Sequence, residues 1–343
     1  MKKLLLILGL TVLILFIDLY GKLLVSQYLS GSEKEKKVAL STPKHKVEET
    51  SPQALSHLLG SDPETILSTF GEPARIEPSS YNYDWWVYNQ DPSHYMQLGI
   101  LQNKVVTIYA GGKDSNVSPF YIGQKYVDIY ALAPFSYEVA LEYGKGSYQF
   151  ELSETEINEQ PLISLEHGWA QLYFDKFTHQ LMGVRYMDDE TLLKLRPYQL
   201  IYSGDLVTPG ALDANQQKLV EEASAKQVLD LTNVVRAQHG LPLLSWNEGA
   251  AQVAYLHSKD MKEANYFSHV SPTAGTLGDR LARGSVTFKM AGENIASNYN
   301  DSIAAVHGWL NSEGHRKNIL NEQFTGLGVG IFEKYYTQNF VQK

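Results

Sequence analysis

At 343 residues, with 43% hydrophobic and 20% charged side chains, the chain is too long for one small core and suits two globular domains plus extensions. Its net charge of −9 is unevenly placed, because residues 55–210 carry 9 basic against 20 acidic side chains while 211–343 carry 12 against 13. The acidic middle argues against nucleic acid or another anionic polymer as its direct partner, and the absence of cysteine excludes disulfides and thiolate metal sites.

The chain opens on Lys2 and Lys3, followed by an apolar run of 14 residues from Leu4 to Ile17 that Asp18 ends. A helix of that length is roughly 21 Å long, short of the ~30 Å hydrocarbon core, as in a signal peptide. No small-x-small cleavage site follows closely, and no cysteine could accept a lipid. Residues 1–29 therefore read as a signal peptide or membrane anchor, with an uncleaved anchor preferred. Its basic end would lie inside, which puts the rest of the chain on the extracellular face of the cell membrane or, if cleaved, in the medium. Residues 30–54, rich in Ser, Lys, Glu and Pro, have no apolar periodicity and read as a disordered linker.

Residues 55–205 read as an α+β domain dense in Tyr and Trp. A short helix from Leu59-Gly60 stops at Gly71-Glu72-Pro73; strands follow over Tyr83–Tyr88, Tyr95–Leu101 and Val105–Tyr109. A second passage starts at Ile122-Gly123, and its Trp169-Ala170-Gln171-Leu172 stands where the first has Tyr95-Met96-Gln97-Leu98. Each leads through a polar turn into a β-branched strand, which predicts two diverged repeats. His167 and His179 read as solvated, and Trp85-Trp86 as a strand pair with one ring in the core, since neighbours on a strand face opposite ways.

Pro209 and Gly210 mark a domain boundary, after which helical texture takes over. Val228, Leu231 and Val235 form a stripe at 3.6 spacing that Gly240 and Pro242 end. Asn247 caps a second helix with Ala250, Val253, Ala254, His257, Met261 and Ala264 on its apolar face, so His257 reads as a core histidine. A short helix over Asp279-Arg280-Leu281 follows, and then a third main helix capped by Asp301 or Ser302, with His307 on its packed face. Gly314 reads as that helix's C-terminal cap, which would put Glu313 in its last turn and His315 just past its end. In Gly326-Leu327-Gly328-Val329-Gly330 the glycines alternate with Leu and Val at period 2, and no Lys-Ser/Thr follows. That is a strand with one bare face for close approach, rather than a phosphate loop.

Several of these segments have a family look. Asn233-Val234-Val235-Arg236, Leu244-Ser245-Trp246-Asn247, Phe267-Ser268-His269 with Ser271-Pro272, Gly292-Glu293-Asn294-Ile295-Ala296, Trp309 through His315, and the glycine strand occur in one order. Residues 218–343 thereby resemble the CAP superfamily, also called SCP (cysteine-rich secretory proteins, antigen 5, pathogenesis-related 1), in a bacterial form with a CAP-associated N-terminal domain ahead of it. The resemblance implies an α+β chain whose C-terminal part is an α-β-α sandwich around a central antiparallel sheet. It also implies a cleft with two histidines and two acids, here His269, Glu293, Glu313 and His315. In eukaryotic members the second acid falls nearer Ser312, and their disulfide-bound appendages have no counterpart here.

Two neutral imidazoles, His269 and His315, could take Zn²⁺ or another divalent cation, with the carboxylates orienting them. Two histidines are one short of the usual catalytic three. A metal-free alternative makes Glu293 or Glu313 a general base with His269 as its partner. The bland alternative is a buried polar network that holds the cleft in shape. The expectation is thus a membrane-tethered cell-surface protein whose cleft binds an unidentified extracellular ligand: lipid, peptide or wall component. The alternative is a metal-assisted hydrolase acting on peptide or cell-envelope material.

Overall fold

The computed structural model describes residue 51 and residues 53–343, so the expected anchor and nearly all of the linker lie outside it. Asp62 caps the first helix, α1 (Pro63–Phe70), by accepting the Thr65 amide at 2.8 Å, and Gly71 at φ 74° ends it. The sequence placed this start three residues early, because Pro63 and Asp62, rather than Gly60, carry the N-terminal chemistry. Strands β1 (Arg75–Pro78), β2 (Asp84–Tyr88), β3 (Met96–Leu101) and β4 (Lys104–Ala110) follow. Gln102 and Asn103, both at positive φ, make the tight turn between the last two.

The second passage runs through α2 (Tyr126–Leu132), β5 (Glu138–Tyr143), β6 (Gly146–Glu151), α3 (Glu154–Glu159), β7 (Leu162–Leu165), β8 (Gly168–Asp175) and β9 (Gln180–Met187). Helix α4 (Asp189–Leu195) and β10 (Gln199–Ser203) complete the domain. Seven strands form one sheet in the order β1-β2-β3-β4-β9-β8-β7. At its centre β4 and β9, one from each passage, pair antiparallel with Ile108 opposite Tyr186. The hairpins β3–β4 and β8–β9 thus sit back to back, as two repeats of one unit would. Each buries a Tyr–Gln bond at the matched glutamine, though from opposite sides of it: the Tyr95 hydroxyl donates to Gln97 and the Tyr173 hydroxyl to Gln171, each at 2.8 Å. The passages diverge at β5 and β6, which leave the large sheet and join β10 in a three-stranded one. Trp85 is buried and Trp86 only half-buried, as the alternation of the strand requires.

The second half begins with α5 (Ala214–Gln238), whose N-terminal amides at Asn215 and Gln216 bond to Asp213. Then come β11 (Ser245–Trp246), α6 (Glu248–Glu263), α7 (Leu277–Arg283), β12 (Met290–Ser297), α8 (Ser302–Leu310), α9 (Glu313–Ile319), β13 (Gly326–Phe332) and β14 (Tyr335–Gln342). The sheet order is β11-β13-β14-β12; three strands are antiparallel, and the two-residue β11 pairs parallel with β13. Leu327, Val329 and Ile331 face one way, into the core that holds Val228, Leu231 and Val235 of α5. The glycines face the other way, where α6 lies so close that a Cβ on Gly330 would sit 1.8 Å from the Tyr255 amide nitrogen. Helices on both faces of one sheet make the α-β-α sandwich.

The two halves meet along a polar seam. Arg185, 1% exposed, bonds Asp301 at 2.5 Å, and Arg75 bonds Asp230 at 2.5 Å. In the opposite sense, Arg316 bonds Asp175 at 2.8 Å. His307 stacks on Tyr173 with ring centroids 4.3 Å apart and meets the Tyr109 hydroxyl at 2.8 Å. It is a packing residue, as its place on the helix face predicts. Burial pushes its pKa down to about 3 despite the raising effect of Asp175.

Candidate functional site

Glu293 anchors the site. It lies on β12 with its side chain 3% exposed, and both carboxylate oxygens are taken. Oε1 meets His269 Nδ1 at 2.9 Å, and Oε2 accepts from the Arg280 guanidinium of α7. Arg280 also donates to the carbonyls of His269 at 2.8 Å and Gly275 at 3.1 Å, so one buried cation fixes both the acid and the loop that carries the histidine. That loop is tied further by Asp260, which accepts from Ser271 Oγ at 2.7 Å and from the Tyr266 hydroxyl. His269 itself remains 54% exposed at its side chain, so Glu293 holds a presented ring.

His257, on α6, lies behind this pair, with Nε2 4.0 Å from Glu293 Oε1 and 3.0 Å from the Ser268 carbonyl oxygen. Burial lowers its pKa, which keeps the ring neutral with an Nε2 proton for that carbonyl. His257 and Arg280 are the contributors that sequence reasoning did not assign to the site. The signal for Arg280 was slight: an arginine in a short helix between two cleft segments.

His315 arrives from α9. Asn294 Nδ2 donates to the His315 carbonyl at 3.2 Å, and Asn318 Nδ2 donates to the Glu293 carbonyl at 3.1 Å and to Asn294 Oδ1 at 2.8 Å. These amides pin α9 to β12 and place His315 within electrostatic reach of His269. Burial lowers the pKa of His315, and the proximity of His269 lowers it further. Its Nδ1 is buried without a hydrogen-bond partner.

Glu313 goes elsewhere. Its side chain is 75% exposed and bonds Lys317 at 2.9 Å, one turn along the same helix, and that contact lowers its pKa. The helix boundary differs from the sequence expectation, and this decides where Glu313 points. Helix α8 ends at Leu310 and α9 starts at Glu313, so Gly314 is an interior residue of a new helix rather than a cap. Glu313 then stands in the first turn, where a carboxylate is stabilised by the helix dipole. The structure therefore unites His269, Glu293 and His315 and leaves Glu313 on the outer surface. Ser268 Oγ accepts the Val270 amide at 3.1 Å and contacts neither histidine, so no Ser–His pair forms there.

The profile of the Cysteine-rich secretory protein family matches residues 229–343, and that of the CAP-associated N-terminal domain matches 59–198. The Bacillus subtilis membrane protein YlbC is 47% identical over 321 residues, which span 91% of this chain and 93% of that protein. The chain belongs to the CAP family. Among solved structures, an extracellular SCP-domain protein from Bacillus anthracis is 58% identical with a TM-score of 0.82, over 88% of this chain and 99% of that one. A cysteine-rich secretory protein from Staphylococcus aureus is 26% identical with a TM-score of 0.77, over 87% of this chain and 97% of that one. Both profile matches of this CAP protein lie on a chain that aligns with these relatives over most of its length, and its fold matches the one its motifs imply.

The donor set allows only a spare metal site. Glu293 is occupied by Arg280 and His269, Glu313 faces outward, and among the described residues no group of three or more His, Cys, Asp or Glu side chains could hold a metal ion. What remains is a pair of imidazoles. Water molecules would have to complete the coordination of any ion held there.

Proposed function

We propose that this CAP protein works outside the cell as a ligand-binding module tethered to the membrane, with the His269–Glu293–His315 cleft as its recognition site. The names of YlbC, a membrane protein, and of the extracellular Bacillus anthracis relative support the location. One observation carries the cleft reading: Glu293 is buried, neutralised by Arg280 and bonded to His269. A carboxylate so placed orients a ring and does not itself abstract protons, which removes Glu293 as the general base of the metal-free alternative. The ligand classes remain those of the resemblance: a lipid, a peptide or a wall component.

A divalent cation is the second reading. The carboxylate on His269 Nδ1 fixes that ring's tautomer and turns Nε2 outward, the support that metal-binding imidazoles commonly have. Zn²⁺ held by His269 and His315 would supply a Lewis acid for the hydrolase alternative. Calorimetric titration of Zn²⁺ into the chelator-stripped full chain tests this, alongside the His269→Ala/His315→Ala double variant and Glu313→Ala. Stoichiometric binding lost in the double variant and kept in Glu313→Ala establishes a metal site of two imidazoles. No binding by the folded wild type removes the metal and with it the hydrolase.

A further inference from the structure

The largest hollow among the described pockets is lined by none of His269, Glu293 and His315 and lies where the two domains meet. It is a groove of about 1090 Å³ between the α4 end of the first domain and the α5 start and β13–β14 turn of the second. A side chamber of about 240 Å³ shares Leu195, Arg196, Asn298 and Asn300 with it and reaches inward to Arg185 and Gln171. Junctions between domains are favoured places for ligand sites, and this volume exceeds what one sugar or amino acid fills.

Its charge runs against that of the molecule. The groove lining has five basic side chains (Lys194, Arg196, Lys218, Lys262, Lys334) and three acidic ones (Asp213, Glu221, Glu333), a balance of +2 in a chain of −9. The acidity of residues 55–210 as a whole, which argues against an anionic partner, is therefore relieved at this lining, to which that stretch gives only Lys194 and Arg196 as charged groups. Most of these groups already have partners: Lys262 bonds Glu333 at 2.6 Å, Lys194 bonds Glu190 at 2.7 Å, and Lys218 faces Glu222 at 3.7 Å. Asp213 caps α5, and Glu221 accepts from Gln217 and from the Glu333 amide. Among the described residues Arg196 and Lys334 have no ion pair, and the side-chain amides of Asn298 and Asn300 make no hydrogen bond. These are solvent-accessible donors beside open volume, two of them charged, with no protein partner to displace.

The same wall carries half-buried aromatic rings. Tyr255 and Phe332 meet edge to face at 6.0 Å, and Tyr335 stands at the other end of the β13–β14 turn. Aromatic faces take the C–H faces of sugar rings, amides and a planar guanidinium match vicinal hydroxyls, and unpaired cations take acid groups. A neutral glycan would leave the cations without an acid partner, and ring faces beside unpaired cations favour a chain that offers both rings and acid groups. We infer that this groove binds an acidic saccharide chain, with its rings against Tyr255, Phe332 and Tyr335 and its acid groups on Arg196 and Lys334.

Calorimetry on the full chain with three probes of matched length tests the inference: tetragalacturonate (rings and charge), tetraglutamate (charge alone) and chitotetraose (rings alone). Tetragalacturonate should bind at least tenfold more tightly than either of the others. Arg196→Gln/Lys334→Gln and Tyr335→Ala should each weaken it tenfold or more, with thermal unfolding unchanged. His269→Ala should leave it untouched, which separates this site from the cleft. Equal binding of tetraglutamate would mean a charge-only peptide or ion surface and would overturn the saccharide. No binding of tetragalacturonate, or binding indifferent to both groove variants, would overturn the site.

Discussion

Acid should weaken this protein through His307. The ring is 5% exposed at the domain seam, flanked by Tyr173, Tyr109 and the nearby Asp175, and burial holds its pKa at about 3 against an ordinary 6.5. A histidine whose pKa falls on folding is neutral in both states above pH 6.5, so its contribution is intact there. As pH drops below 6.5 the unfolded chain takes a proton that the folded chain refuses, and stability is lost progressively toward pH 3. Between pH 7.5 and 5.0 that one group costs about 2 kcal/mol. His307→Phe keeps a ring on Tyr173 but removes the titration. It should be less stable than wild type at pH 7.5 by about 1–3 kcal/mol, because the Tyr109 hydroxyl loses its partner. The gap should close by about 2 kcal/mol at pH 5.0. Urea unfolding of both proteins at the two pH values, with m held constant, measures this directly. Parallel pH dependence in wild type and variant would refute the buried neutral histidine.

Two further outcomes follow from the packing. Gly330→Ala puts a methyl 1.8 Å from a backbone nitrogen of α6, which cannot swing aside as a side chain can, so it should destabilise by about 3 kcal/mol or more in the same assay. Asp301→Ala strands the buried Arg185 charge and removes the cap on the Ala304 amide, and should cost about 3–5 kcal/mol, with Asp301→Asn milder. A loss under about 1 kcal/mol in either case would mean the contacts described do not hold in solution.

Local chemistry was readable from the chain because it acts over a few residues. Asn247 and Asp301 announced helix starts, the period-2 glycines announced a close helix approach, and the Tyr95 and Trp169 segments announced a repeat. His257 and His307 fell on apolar helix faces and are buried there. Motif order brought His269, Glu293 and His315 into one site before any fold was known. Glu313 was misjudged because a helix boundary moved by a few residues. At 3.6 residues per turn, such a shift turns a side chain from the cleft to the solvent.

What only the tertiary structure decided involves partners far apart in sequence. Arg280 neutralises Glu293 from a separate helix, and that pairing turns a candidate base into an orienting group. The departure of β5 and β6 from the large sheet depends on β10, some fifty residues on, and carries no local signal. The domain seam joins Arg185 to Asp301 and Asp175 to Arg316, pairs whose members each look like an ordinary surface charge in the sequence. Their value comes from burial, and burial is a property of the assembled fold.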